Sequence, residues 1–255
     1  MDITIKDGTL FRKLVSSIKD LTNLTELTFN SEGISVQCMD IARVCMIDVL
    51  LPPDFFENWD VDSSIKLGIN FENLNNILKL SSKSSDINIL YDSTKQDKLL
   101  INVSESKTRN IEFEMILQNV EQDTVDVPDI THDIIVYLDT TEFQKTIKDM
   151  ATFGDKCTIL INTEDITFIV TGDAGMGKIK ISDAEIETIS EDLDGDIKFT
   201  FNLKYLTKFA NSNLSEQIAL KFSKTVPFCC EYMLPIGTIK YYLGQIENEE
   251  NEEST

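Results

Sequence analysis

The sequence predicts an α+β fold made of two similar domains, and three observations carry that prediction. A single spacing of 132 residues aligns three separate segments: Phe11, Val15 and Ile18 with Phe143, Ile147 and Met150; Ile34 and Val36 with Ile166 and Phe168; Asn70, Leu74 and Ile77 with Asn202, Leu206 and Phe209. Any insertion between the segments would break that common spacing, so it marks an internal repeat. Each copy holds two short stretches with apolar residues at helical spacing, set among many stretches that alternate at strand period. Four short helices packed on antiparallel sheets follow. At 255 residues the chain is long enough for two cores.

The elements follow in order. Residues 2–6 and 25–38 alternate as strands do, with Gly33 opening the second part of the latter run. Between them, residues 9–20 place Leu10, Phe11, Leu14, Val15 and Ile18 on one helical face. Residues 44–51 and 65–70 read as strands, and 72–80 as a second short helix with Leu74, Ile77 and Leu78 inward. Strands over 87–91, 98–104 and 109–117 complete a first domain, 1–117. Residues 118–134 are acidic and carry Pro128, with Val120, Val125, Val127 and Ile130 spaced along them; they read as an extended linker. A second domain, 135–246, repeats the order. Its strands are predicted at 134–139, 156–161, 165–171, 177–182, 196–201, 217–223, 227–234 and 238–243, and its helices at 141–153 and 203–211. Residues 247–255 form an acidic tail.

Composition narrows the class. Apolar residues make up 42% of the chain, which is ordinary for a globular protein. No run of about 18 apolar residues is present to span a membrane, and the first residues lack the pattern of a secretory signal. Cys38, Cys45, Cys157, Cys229 and Cys230 show no metal-binding spacing and read as reduced core residues. The one histidine, His132, falls in the linker and is expected in solvent; no metal site and no cofactor is predicted.

The net charge of −21 argues against nucleic acid at first sight, because phosphate binding wants Lys and Arg. Its distribution reverses the argument. The four helical segments hold eight positive residues, Arg12, Lys13, Lys19, Lys79, Lys145, Lys148, Lys204 and Lys208, against four acids. They carry +4, and the rest of the chain −25. Ordinary solvated helix faces would also account for these residues. The repeat favours one basic surface that touches a polyanion weakly, mostly through phosphates, without reading sequence.

Several segments resemble one family: LFRKLVSSIKDL (10–21), GISVQCMDIARVCMIDV (33–49), GINFENLNNILKL (68–80), EFQKTIKDMATFGD (142–155), GDAGMGKIKIS (172–182), FTFNLKYLTKF (199–209) and VPFCCEYMLPIGTIKYYLGQIENEE (226–250). They are similar to the eukaryotic-type sliding clamps, the family of proliferating cell nuclear antigen. The resemblance implies two clamp domains per chain in a ring-forming homotrimer around double-stranded DNA. It implies a processivity factor for replicative polymerase and a platform for repair proteins, with no chemistry of its own. An alternative is a clamp-fold repair or scaffold subunit with no direct polymerase role. Implied partners are a second and third copy of the chain, DNA polymerase, clamp loader, flap nuclease, DNA ligase and other proteins with clamp-binding peptides. Implied location is the nucleus, or a viral replication compartment if the chain is viral.

Residue by residue, the family's DNA-facing positions match Arg12, Lys13, Lys19, Lys79, Lys145, Lys148 and Lys204. Asn76, Thr152 and Asn211 stand where animal clamps carry Lys, His and Lys, and Lys208 is a possible substitute. Its partner-peptide pocket matches Met39, Arg43, Val44, Met46, Val125, Val127, Pro227, Pro235, Gly244, Gln245 and Ile246. Arg43 replaces a His of the animal proteins, and an acidic peptide residue near it is expected. Its subunit joint matches two edge strands, Arg109, Ile111, Glu112, Phe113 and Glu114 on one and Lys178, Ile179 and Lys180 on the other. The family's modified Lys position is Thr163 here.

Rival readings are weaker. Residues 172–178 fit G-x-x-x-x-G-K, but Ile179 replaces the hydroxyl of a phosphate-binding loop, and the strand-like KIKIS follows where a helix is needed. The many carboxylates single out no acid–base pair, and no catalytic Ser/His/Asp or Cys/His set can be assembled. A β-rich structural protein with no DNA role is the remaining rival, and native mass separates it from a trimer.

Overall fold

The computed structural model describes residues 1–82, 85–95, 97–106, 109–120, 130–182, 184–188 and 197–246. It divides into two compact units. The first comprises Met1–Asp126 with Leu234–Ile239, and the second Val127–Met233 with Lys240–Thr255.

In chain order the first unit runs β1 (Asp2–Ile5), α1 (Gly8–Leu21), β2 (Leu24–Asn30), β3 (Gly33–Met39), β4 (Cys45–Leu51), a 3-10 turn (Pro53–Phe55), β5 (Phe56–Asp60), β6 (Ile65–Asn70), α2 (Phe71–Leu78), β7 (Asp86–Leu90), β8 (Lys98–Ser106) and β9 (Arg109–Ile116). Strands lie side by side in the order β5-β1-β7-β8-β9 and, separately, β4-β3-β2-β6. The second unit runs β10 (Ile134–Asp139), α3 (Thr140–Met150), β11 (Lys156–Ile161), β12 (Ile166–Gly172), β13 (Gly175–Ile181), β14 (Glu185–Thr188), β15 (Ile197–Asn202), α4 (Leu203–Ser212), β16 (Gln217–Phe222), β17 (Phe228–Tyr232) and β18 (Thr238–Leu243). Its strand orders are β14-β10-β16-β17-β18 and β13-β12-β11-β15. The two units therefore share one topology, strand for strand.

The strands form because apolar residues alternate along them. In β2 and β3, Leu27, Phe29, Ile34 and Val36 point inward and are buried. The second core is rich in aromatics. Phe199, Phe201, Phe222 and Phe228 surround one another, with centroids 4.8 Å apart for Phe201–Phe228 and 5.2 Å for Phe199–Phe222. Two glycines are required by backbone contact. Gly33 has φ +121°, and a Cβ there would lie 1.9 Å from the Leu51 carbonyl oxygen; at Gly172 a Cβ would lie 1.8 Å from that of Phe153.

Several expectations need correction. The third helix ends at Met150 rather than 153. Ala151 closes it, and the chain is drawn against β12, where Phe153 meets Gly172 and leaves its ring 54% exposed. The second helix ends at Leu78, with Lys79 as its closing residue. Two strands were not anticipated, β5 and β14. His132 is not in solvent but only 5% exposed. The linker's Val125 and Val127 and the acidic tail lie outside the described residues. All five cysteines are buried and free of disulfides.

Candidate functional site

The four helices are built by a repeated device. Asp7 caps α1, accepting from the Thr9 and Leu10 amides at 2.9 Å, and Asp139 caps α3, accepting from Thr141 and Glu142 at 2.8 and 3.1 Å. Asn70 caps α2 through Asn73, and Asn202 caps α4 through Lys204, both at 2.9 Å. Each cap satisfies amides that the first helical turn leaves without partners. Asp7 and Asp139 are again 132 residues apart, as are Asn70 and Asn202.

Each helix buries one stripe. In α1 it is Phe11, Leu14, Val15, Ile18 and Leu21; in α3 it is Phe143, Ile147 and Met150. The opposite faces carry the predicted cations. Lys13, Lys79, Lys145, Lys148 and Lys204 are exposed, while Arg12, Lys19 and Lys208 are half-buried. Helix α1 packs beside α2 in the first unit, and α3 beside α4 in the second. Arg12, Lys13, Lys19 and Lys79 thus share one helical pair, and Lys145, Lys148, Lys204 and Lys208 the other.

Lys19, Lys208 and Arg12 have defined contacts. Lys19 pairs with Asp20 at 2.8 Å. Lys208 lies 5.8 Å from the centroid of the Tyr205 ring, a cation–π distance. Arg12 donates from Nη1 to the Ser81 carbonyl at 3.4 Å, just past the end of α2. The equivalent residue in the second unit is Gln144, which donates to the Ala210 carbonyl of α4 at 3.1 Å. One position therefore ties the first helix to the second in both units, with a charged side chain in one and a neutral one in the other. The sequence repeat contained this pairing, but the two residue types differ too much to reveal it.

The end of α4 is braced further. Tyr232 donates to the Phe209 carbonyl at 2.5 Å and accepts from the Asn213 amide at 3.1 Å, while Ser212 and Tyr241 share a hydrogen bond of 2.9 Å. Asn213 sits in the left-handed region at φ 43°.

The predicted peptide-pocket residues are distributed over both units. In the first, Met39 pairs with Met46 across β3 and β4, and Met46 is buried. The turn between them is held by Asp40, whose Oδ1 accepts from the Val44 and Cys45 amides at 2.9 Å and whose Oδ2 accepts from Ala42 at 3.3 Å. That leaves Arg43 exposed at φ 56° and Val44 42% exposed. Pro235, also of this unit, is exposed. In the second, Pro227 is exposed and its carbonyl lies 3.0 Å from His132 Nε2. Burial pushes the His132 pKa down, partly offset by that hydrogen bond. Gly244 is half-buried, Gln245 donates to the Ser223 carbonyl at 3.1 Å, and the Ile246 amide to Thr200 at 2.8 Å.

The two predicted joint segments are β9 and β13. Each ends its sheet, with no strand beyond it among the described residues. Glu114 holds Lys98 at 2.6 Å and Lys180 holds Asp165 at 2.5 Å, so both have partners within the chain. Each lysine holds its partner's carboxyl below the usual range, chiefly through the hydrogen bond between them. The glycine-rich stretch at 172–177 is a hairpin: β12 pairs with β13 from Ile166↔Ile181 to Gly172↔Gly175. A strand, not a helix, leaves that turn, so no phosphate-binding loop is formed.

Comparison with known proteins places this geometry. Residues 1–125 match the family Proliferating cell nuclear antigen, N-terminal domain, and residues 126–246 the corresponding C-terminal domain. The proliferating cell nuclear antigen of Saccharomyces cerevisiae is 24% identical over 256 residues, spanning 98% of this chain and 99% of its own. The crystal structure of the proliferating cellular nuclear antigen from Entamoeba histolytica superposes with a TM-score of 0.89 at 26% identity, covering 96% of this chain and 98% of that one.

Proposed function

Because the chain belongs to the proliferating cell nuclear antigen family through both of its domains, we propose that it is a DNA sliding clamp and the processivity factor of a replicative DNA polymerase. The observation that carries this reading is the placement of cations on the outward faces of four equivalent helices, in a chain of net charge −21. Three chains close head to tail through β9 and β13, and duplex DNA passes through the ring they make. The helices meet phosphates and release them easily, so the ring slides.

The clamp makes and breaks no covalent bond, and a separate clamp loader supplies ATP hydrolysis. Its contribution is effective concentration: a polymerase held by a flexible peptide stays near the primer end. Peptides of polymerase, flap nuclease, ligase and repair proteins dock through apolar anchors, with Met39, Arg43, Val44 and Met46 of the first unit as contacts. Arg43 selects peptides with an acid near the anchor. The protein works where DNA is replicated, the nucleus or a viral replication compartment.

Primer extension on a long single-stranded template tests the reading. With a replicative polymerase, a loader and this trimer, product length is expected to increase several-fold. Unchanged lengths with a properly assembled trimer would reject the polymerase role and favour a scaffold or repair subunit.

A further inference from the structure

We propose that the outward face of the sheet β13-β12-β11-β15 is a docking surface for a short acidic peptide of a partner protein, one with an apolar residue midway between two acids. The proposal goes beyond the ring reading above and lies wholly within the second unit.

Strand pairing puts four lysines on one side of this sheet. Lys198 of β15, Leu160 of β11, Thr167 of β12 and Lys180 of β13 form one row across it. The next row holds Ile169 and Lys178, and the one after it Lys156 beside Asn202. Residues paired in register share a face, as do those two apart along a strand. The other face is the core side, where Cys157, Ile159, Phe168, Val170, Phe199 and Phe201 are buried. All four lysines are exposed, and Leu160 and Ile169 lie half-buried between them. Lys180 holds Asp165, while Lys156, Lys178 and Lys198 make no ion pair among the described residues.

Packing does not demand these lysines. The same places in the first unit, matched by strand pairing, hold Leu24, Asp48, Leu50 and Lys66. Lys66 there is paired with Glu26 at 2.9 Å. One topology therefore carries a mixed face in the first unit and a cationic face in the second, in a chain of net charge −21.

The surroundings choose the ligand. Asp155, Glu164 and Asp173 are exposed at the strand ends, just before β11 and in the turns on either side of β12. A duplex laid on the face runs over those acids and is repelled, whereas a short peptide fits between them. Strands β15 and β13 are separated by β11 and β12, a distance of about 14 Å. Acids that meet Lys198 on one side and Lys178 or Lys180 on the other are then about four residues apart in an extended chain. The residue midway lies over Leu160 and Ile169, where an apolar side chain leaves water. The pattern recognised is acid-x-apolar-x-acid. In the proposed ring β13 offers its neighbour a backbone edge, and this face stays outward.

Fluorescence anisotropy of a labelled peptide, Glu-Glu-Gly-Leu-Gly-Glu-Glu, tests the proposal with the full chain at low salt. Saturable binding is expected, and it should be lost when the peptide's acids are replaced by Gln. Lys156→Leu with Lys198→Gln, neither on β13, should weaken binding about tenfold with native mass unchanged. Lys156→Arg with Lys198→Arg should retain it. Arg43→Ala should leave the affinity as it is; a loss there puts the peptide on the first unit and overturns the proposal. So does a failure of the wild type to bind, or equal binding by the Leu/Gln variant. A short DNA duplex that displaces the peptide and depends on the same two lysines makes the face a nucleic-acid surface instead, which also overturns it. The ring reading is untouched by any of these results, since it is judged by native mass and primer extension.

Discussion

Arg12 and Gln144 occupy the same place in the two units and perform the same task, tying one helix to the end of its neighbour. Arg12 therefore has a structural role beside any contact with DNA. Arg12→Gln is expected to keep the melting temperature near that of the wild type, because Gln144 shows that a neutral donor suffices. Arg12→Ala leaves the carbonyl at the end of α2 without this donor and should lower melting by about 2–4 °C, the effect of about 1 kcal/mol in a chain of this size. His132 makes a second prediction. Its folded pKa lies below the ordinary imidazole value of 6.5, so the unfolded chain takes up a proton first as pH falls. Its contribution is thus fully present above that value and lost as pH drops toward the folded pKa. Between about pH 7.5 and 5.5 the wild type should lose about 2 °C more than His132→Phe, measured by thermal melts of both proteins. Nothing in the sequence revealed this burial. A lone polar residue in an acidic linker reads as solvated, and its partner, the Pro227 carbonyl, lies 95 residues on.

The helices gain definition from their ends as well as their stripes. Asp139→Ala removes two amide contacts from the start of α3 and should destabilise the protein by about 1 kcal/mol, measured by urea titration. Tyr232→Phe strips the brace from the end of α4 and should cost about 1–3 kcal/mol in the same assay. The outward faces are separable from this. Replacing Lys145, Lys148, Lys204 and Lys208 together with Ala should leave the trimer intact and shorten the lifetime of the loaded ring on circular DNA. The loss should be steepest at low salt, since each phosphate contact removed lowers the salt slope by about 0.9. All four helices were legible because an apolar stripe at 3.6-residue spacing is a local signal. Strands β5 and β14 were not. Glu57, Asn58 and Asp60 face solvent on one, and only Ile186 is half-buried on the other. Both are edge strands defined by pairing to β1 and β10 rather than by any pattern of their own. The end of α3 was also hidden, because its stop is imposed by the Phe153–Gly172 contact and not by a proline or a glycine at its close.

At the scale of the whole molecule, the repeat is one of topology more than of chemistry. Each unit has the same strand order and the same capped helices, yet only the first carries the Asp40 turn and only the second the tight hairpin at Gly172–Gly175. The spacing of 132 residues could announce the doubled fold, because packing demands apolar residues at fixed places. It could not announce which turns differ, because turns answer to local hydrogen bonds. The proposed joint is similar. The charges on β9 and β13 were visible in the sequence, but the internal engagement of Glu114 and Lys180 emerges only when β8 and β12 are laid beside them. The edges themselves have a further consequence. An acidic strand from the first unit and a basic strand from the second are unlike partners, so neither can pair comfortably with its own copy. In the proposed ring every joint then points the same way around the circle, and no two-fold axis relates one side of the assembly to the other. A loaded clamp has a front and a back. A traveller on DNA built this way carries an orientation, and whatever binds its front is held on one chosen side of the junction at which it was loaded.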